Sequence, residues 1–228
     1  GLTHTGISAT DSVSTTYPPP ASFLALFTGP GTIDLPVTAV DASSWSSGIV
    51  AQVTQTVRVA LTLTYQFTPH PITAFCFGDG SGTACPCGNS GGVGRGCASS
   101  LDPLGARLSW SGSPRVSDDT FVLHGAGTGS APILYFQGTL QVNSGLGARF
   151  GDGLRCTSGT IVRLGTKLSS AGLSQYPSGA DPRISVQGGI PASGSVTRYY
   201  QALYRNNATF CGPATFNLTN AVAVPWFL

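Results

Sequence analysis

The stretch FCFGDGSGTACPCGNSGGVGRGC, residues 75–97, decides how the chain is read. It holds four of the six cysteines, Cys76, Cys85, Cys87 and Cys97, set among glycines with almost no apolar residue between them. Such a segment has too little apolar surface to fold as a hydrophobic unit, so it needs cross-links or an ion to hold one shape. It also separates a threonine- and valine-rich first third from a longer, strand-patterned remainder.

Upstream, residues 52–67 alternate most cleanly. Val53, Val57, Val59, Leu61, Leu63, Tyr65 and Phe67 share one face, broken only by Gln55. Thr54, Thr56, Arg58, Ala60, Thr62, Thr64 and Gln66 share the other. This period of two predicts a strand that would extend about 50 Å, far beyond the usual length. Residues 32–40 also alternate, and Pro36 assigns them to a sheet edge.

Downstream, strands are expected at 106–110, 120–123, 133–142, 160–164, 184–186, 197–205 and 215–224. In the third of these, 133–142, Leu134, Phe136, Leu140 and Val142 are expected on one side, with Gln137, Thr139 and Gln141 on the other. In 215–224, Phe216, Leu218, Val222 and Val224 face one way and Asn217 the wet way. Phe150-Gly151-Asp152-Gly153 echoes Phe77-Gly78-Asp79-Gly80, and both read as tight turns.

Composition agrees. The chain has no glutamate, no methionine and one lysine, Lys167, so strong helix formers are scarce. The expected fold class is all-β: a disulfide-stapled β-sandwich, Ig-like or jelly-roll, with two β-domains joined by the Cys/Gly-rich loop. The expected divisions are an extended arm at 1–20, an N-terminal β-domain at 21–74, the disulfide loop at 75–100 and the C-terminal sandwich at 101–228.

A formal net charge of +2, with arginines spread singly, gives no footprint for nucleic acid. No apolar run reaches membrane-spanning length. The absence of a basic, apolar leader before Gly1 reads as a processed form or a fragment. An even cysteine count and two sequons, at Asn207 and Asn217, point to an oxidising, extracellular compartment.

The run at 75–91, followed by GRGCASS, resembles a module at the C-terminal end of secreted proteins of planctomycetes and related environmental bacteria. The later phrases LYFQG (134–138), FGDGLRC (150–156), RLGTK (163–167), YRN (204–206) and FCGPATFNLTN (210–220) fit the same module. The resemblance spans roughly residues 75–226. It implies export to a cell-surface or extracellular setting and no known activity.

The cysteine spacing matches no zinc pattern, so disulfides are expected. Cys85 and Cys87 are too close to bond each other. They are expected to bond separately to Cys76 and Cys97, in either order, leaving Cys156 with Cys211. Asp79 and Asp152 are weak calcium candidates in glycine-rich turns that lack the acid density of a calcium loop. His4, His70 and His124 sit in unrelated contexts, and Asp118 and Asp119 would face opposite sides of a strand. No catalytic site and no cofactor are expected. Tyr199, Tyr200, Tyr204, Trp45 and Trp110 could form a sugar-stacking platform.

The expected function is that of a secreted structural subunit. Its partners would be copies of itself, joined into a filament or surface layer by donation of the arm at 1–20 to a neighbour's sheet edge. A carbohydrate-binding or adhesive module is the alternative.

Overall fold

A computed structural model describes residues 71–192, 195–206 and 210–228. The expectations for residues 1–70, including the arm, the long alternating strand, Trp45, His4 and His70, lie outside the described residues. So does that for Asn207.

The described chain is built of thirteen strands. They are β1 (Thr73–Phe75), β2 (Arg107–Ser111), β3 (Val122–Ala126), β4 (Pro132–Gly138), β5 (Leu140–Gln141), β6 (Ala148–Phe150) and β7 (Gly153–Arg155). The rest are β8 (Thr157–Ser158), β9 (Val162–Leu168), β10 (Leu173–Tyr176), β11 (Val196–Arg205), β12 (Phe216–Leu218) and β13 (Ala221–Trp226). The larger sheet has the order β1-β13-β11-β4-β9, with β12 also paired to β11; the smaller has the order β10-β3-β2. Both are antiparallel.

The two sheets enclose one core. Leu108 and Leu123 come from the smaller sheet, and Ile133, Tyr135, Tyr200, Ala202, Tyr204, Val222 and Val224 from the larger. The fold is therefore an all-β sandwich, and three disulfides staple it. Edge strand β9 carries Lys167, which pairs with Asp181 and lies over the Tyr176 ring.

Three local readings are corrected. In β4 the expected alternation holds, but the side that carries Gln137 is the inward one: Ile133, Tyr135 and Gln137 are partnered in register with Tyr204, Ala202 and Tyr200. Gln137 is buried because it has work there: its Oε1 accepts from the Tyr200 hydroxyl at 2.9 Å, and its Nε2 donates to the Gly188 carbonyl at 2.9 Å. Residues 133–142 also form two strands, β4 and β5, in different sheets.

The predicted strand at 215–224 breaks at Thr219-Asn220. Before the break Phe216 pairs with Arg205; after it Val222 pairs with Tyr200. The register changes by one residue, so the even-numbered side chains switch faces. Val222 and Val224 enter the core, while Phe216 and Leu218 lie on the opposite side with Arg205 and Leu203.

Finally, the expected strand at 184–186 is a helical turn, α1 (Ile184–Gln187). Ile184 plugs the core, and the Ser185 N–H donates to Asp119 Oδ2 at 2.7 Å. Two apolar residues flanking one serine, Ile184-Ser185-Val186, are too short a pattern to distinguish strand from helix.

Candidate functional site

Residues 76–106 form a layer packed on the larger sheet, around Cys76, Cys85, Cys97, Leu154, Cys156 and Ala221. Backbone packs on backbone here. The Gly78 N–H donates to the Arg95 carbonyl at 2.8 Å, and the Gly91 N–H to the Gly78 carbonyl at 2.7 Å. A β-carbon on Gly96 would lie 2.3 Å from the Leu218 carbonyl oxygen, so only glycine allows this approach.

All six cysteines are bridged: Cys76–Cys156, Cys85–Cys97 and Cys87–Cys211. The Cys85–Cys97 bond was one of the expected options. Pairing of Cys87 with Cys76, and of Cys156 with Cys211, is overturned. The reason is tertiary. The layer folds over β7 and β12, so Cys156 meets Cys76, and exposed Cys87, two residues from buried Cys85, meets Cys211.

The candidate calcium carboxylates are 73 positions apart in sequence and serve separate turns. Asp79 Oδ1 accepts from the Ser81 N–H at 3.0 Å and from its hydroxyl, and Oδ2 accepts from the Gly94 N–H at 2.9 Å. The Ser81 hydroxyl leads the interactions that hold its carboxyl below the usual range. Asp152 caps the β6–β7 hairpin and is fully buried; its Oδ2 accepts from Asn206 Nδ2 at 2.6 Å, and its Oδ1 has no partner. Among the described residues, no three His, Cys, Asp or Glu side chains gather where a metal could sit.

Asn217 is not on a wet face. It is fully buried, its Nδ2 donating to the Ala98 carbonyl at 2.9 Å and its Oδ1 accepting from the Leu218 N–H at 2.7 Å. Asn217 and its neighbour Leu218, on opposite sides of β12, are both buried, so alternation does not mark a solvent face here.

The Ser111 hydroxyl lies 2.8 Å from His124 Nε2 on the outside of the smaller sheet. No carboxylate among the described residues bonds the other imidazole nitrogen, so the pair lacks the third group that orients a catalytic base. Asp118 is exposed, while buried Asp119 is spent on the Phe121 and Ser185 N–H groups. The tyrosine platform is not assembled. Tyr200 and Tyr204 point into the core, where burial raises both phenols, that of Tyr204 to about 12. Tyr199 packs edge-on against Phe75.

An open feature among the described residues is a groove of about 310 Å³ on the outer face of the larger sheet. Pro132, Leu134, Thr166, Leu203, Arg205 and Phe216 line it. Leu134 pairs with both Leu203 and Thr166, which makes a flat apolar floor across three strands. The turn at 150–153 holds the Phe216 ring. Phe150 packs against it at 5.0 Å, Gly151 leaves room where a β-carbon would lie 2.3 Å from the ring, and the Asp152 N–H donates to the Phe216 carbonyl at 3.1 Å. Arg155 in turn lies over the Phe150 ring. Sequence alternation offered no sign of this groove, because the register change at Thr219-Asn220 hides the outward direction of Phe216.

No family model matches the chain, and neither a curated protein nor a solved structure matches it.

Proposed function

We propose that this chain is a secreted structural protein, a subunit of an extracellular filament or surface layer in which copies join by strand donation. The observation that carries this reading is the free edge of β9. Six of its seven residues pair with β4 on one side, Leu164 falling at a register shift, and none pairs with a described strand on the other. Such an edge offers backbone donors and acceptors to an incoming strand. The polar segment at 1–20 is the donor, and donation from each copy to the next propagates without closing.

Three disulfides suit an oxidising compartment, and the resemblance of residues 75–226 to exported surface modules fits the same setting. Among the described residues no helix is long and apolar enough to cross a membrane. Negative-stain microscopy of the full chain beside a deletion of residues 1–20 tests the reading. Filaments from the full chain and folded monomers from the deletion are expected. Filaments that persist without the arm overturn it.

A further inference from the structure

We propose that the groove on the outer face of the larger sheet binds an acidic sugar, a uronic-acid unit of an anionic polysaccharide. This goes beyond assembly and holds whether or not copies polymerise. A uronate ring has one face of C–H groups, hydroxyls at its rim and one carboxylate. The groove answers each. Leu134 and Leu203 form an apolar floor, the Phe216 ring stands beside it, and the Thr166 hydroxyl and the Arg205 guanidinium supply polar contacts.

Arg205 carries the specificity. It is exposed and directly opposite Phe216 in the β11–β12 register. Among the described residues its side chain bonds the Thr215 hydroxyl, at 3.1 Å, and pairs with no carboxylate. The remaining N–H groups form a planar fork that matches a carboxylate in bidentate fashion.

The wider field favours an anion as well. Ten of the chain's eleven cationic side chains follow Pro71, but only six of its nine acids do. A volume of about 310 Å³ is at the small end for ligand sites and suits one or two rings. A groove across a sheet face gives a plate for rings and no tunnel for an acyl chain. Because the turn at 150–153 fixes the Phe216 ring beforehand, little ordering is needed on binding.

The test is fluorescence anisotropy of labelled trigalacturonate with the full chain, which reads binding to monomers and filaments alike. Unlabelled trigalacturonate, its fully methyl-esterified form and decanoate serve as competitors. Saturable binding is expected that weakens with salt. The methyl ester should compete about tenfold less well, and Arg205→Gln should lose about tenfold in affinity while Arg205→Lys loses less. Arg205→Gln should form filaments like the parent chain, which separates this site from assembly. No saturable binding, equal competition by the methyl ester, an unchanged Arg205→Gln, or displacement by decanoate alone would overturn the proposal.

Discussion

Asn220 pairs its side chain with the backbone of Leu108 as a neighbouring strand would. The Leu108 N–H donates to Asn220 Oδ1 at 2.8 Å, and Asn220 Nδ2 donates to the Leu108 carbonyl at 3.1 Å. One carboxamide thus joins the larger sheet to the edge of the smaller. Gln201 does the same toward the cysteine layer: its Oε1 accepts from the Cys156 N–H at 3.0 Å, and its Nε2 donates to the Leu154 and Thr219 carbonyls, both at 2.8 Å.

Asn220→Leu leaves a buried N–H and a buried carbonyl without partners. It should cost about 2–4 kcal/mol, read as a lower urea midpoint with unchanged slope. Asn220→Asp keeps the acceptor and loses the donor while ionised. Its deficit should shrink as pH falls and the acid protonates, since a neutral carboxyl can donate to the Leu108 carbonyl.

Gly96→Ala forces a β-carbon against the Leu218 carbonyl and should destabilise by about 3 kcal/mol. Gly82→Ala is the control. Its β-carbon would meet only Leu146, the side chain at 3.5 Å and the carbonyl oxygen at 3.9 Å, and thermal melts should shift little or upward.

The two disulfides Cys76–Cys156 and Cys85–Cys97 are buried, while Cys87 is exposed. Limited reduction followed by alkylation and peptide mapping should therefore label Cys87 and Cys211 first. Replacing that pair by alanines should cost about 3–5 kcal/mol, because the bond closes a long loop across a sequence separation of 124.

Tyr204 and Tyr200 are both buried phenols, with opposite expected responses to loss of the hydroxyl. The Tyr204 oxygen faces Ser99 without closing a hydrogen bond, so Tyr204→Phe should be neutral or stabilising at pH 7. Tyr200→Phe should cost about 1–3 kcal/mol, since its hydroxyl accepts from Trp226 Nε1 at 2.7 Å and donates to Gln137. Burial raises the folded Tyr204 pKa to about 12, above the unfolded value of about 10. Burial thus leaves stability unchanged below pH 10, where the phenol is neutral in both states, and lowers it by about 2–3 kcal/mol as pH rises from about 10 to 12. Tyr204→Phe should flatten that alkaline limb of the stability profile.

The sequence made the strand-rich class and the bridging of every cysteine readable, because both follow from residue type. Faces and pairings were harder. Alternation identifies a solvent side only when one side is wet. At Asn217 and Leu218 both sides of β12 are covered, and the one is as buried as the other. Gln137 and Gln201 look like surface residues and are internal, since each supplies hydrogen bonds that a neighbouring chain segment lacks. The one-residue shift at Thr219-Asn220 carries no composition signal, yet it reverses every face before it relative to β13. Cysteine partners followed the packing of the layer over β7 and β12, and proximity along the chain could not reveal that.

The Cys76–Cys156 bond also sets how tension would travel through the molecule. Among the described residues, a pull applied at Pro71 reaches β1 first, and β1 has only three residues to peel from β13. The next residue is Cys76, anchored covalently beyond β7. Mechanical load is thus handed to a bond that hydrogen-bond rupture cannot release, and a stretched copy should yield by about one short strand and then hold.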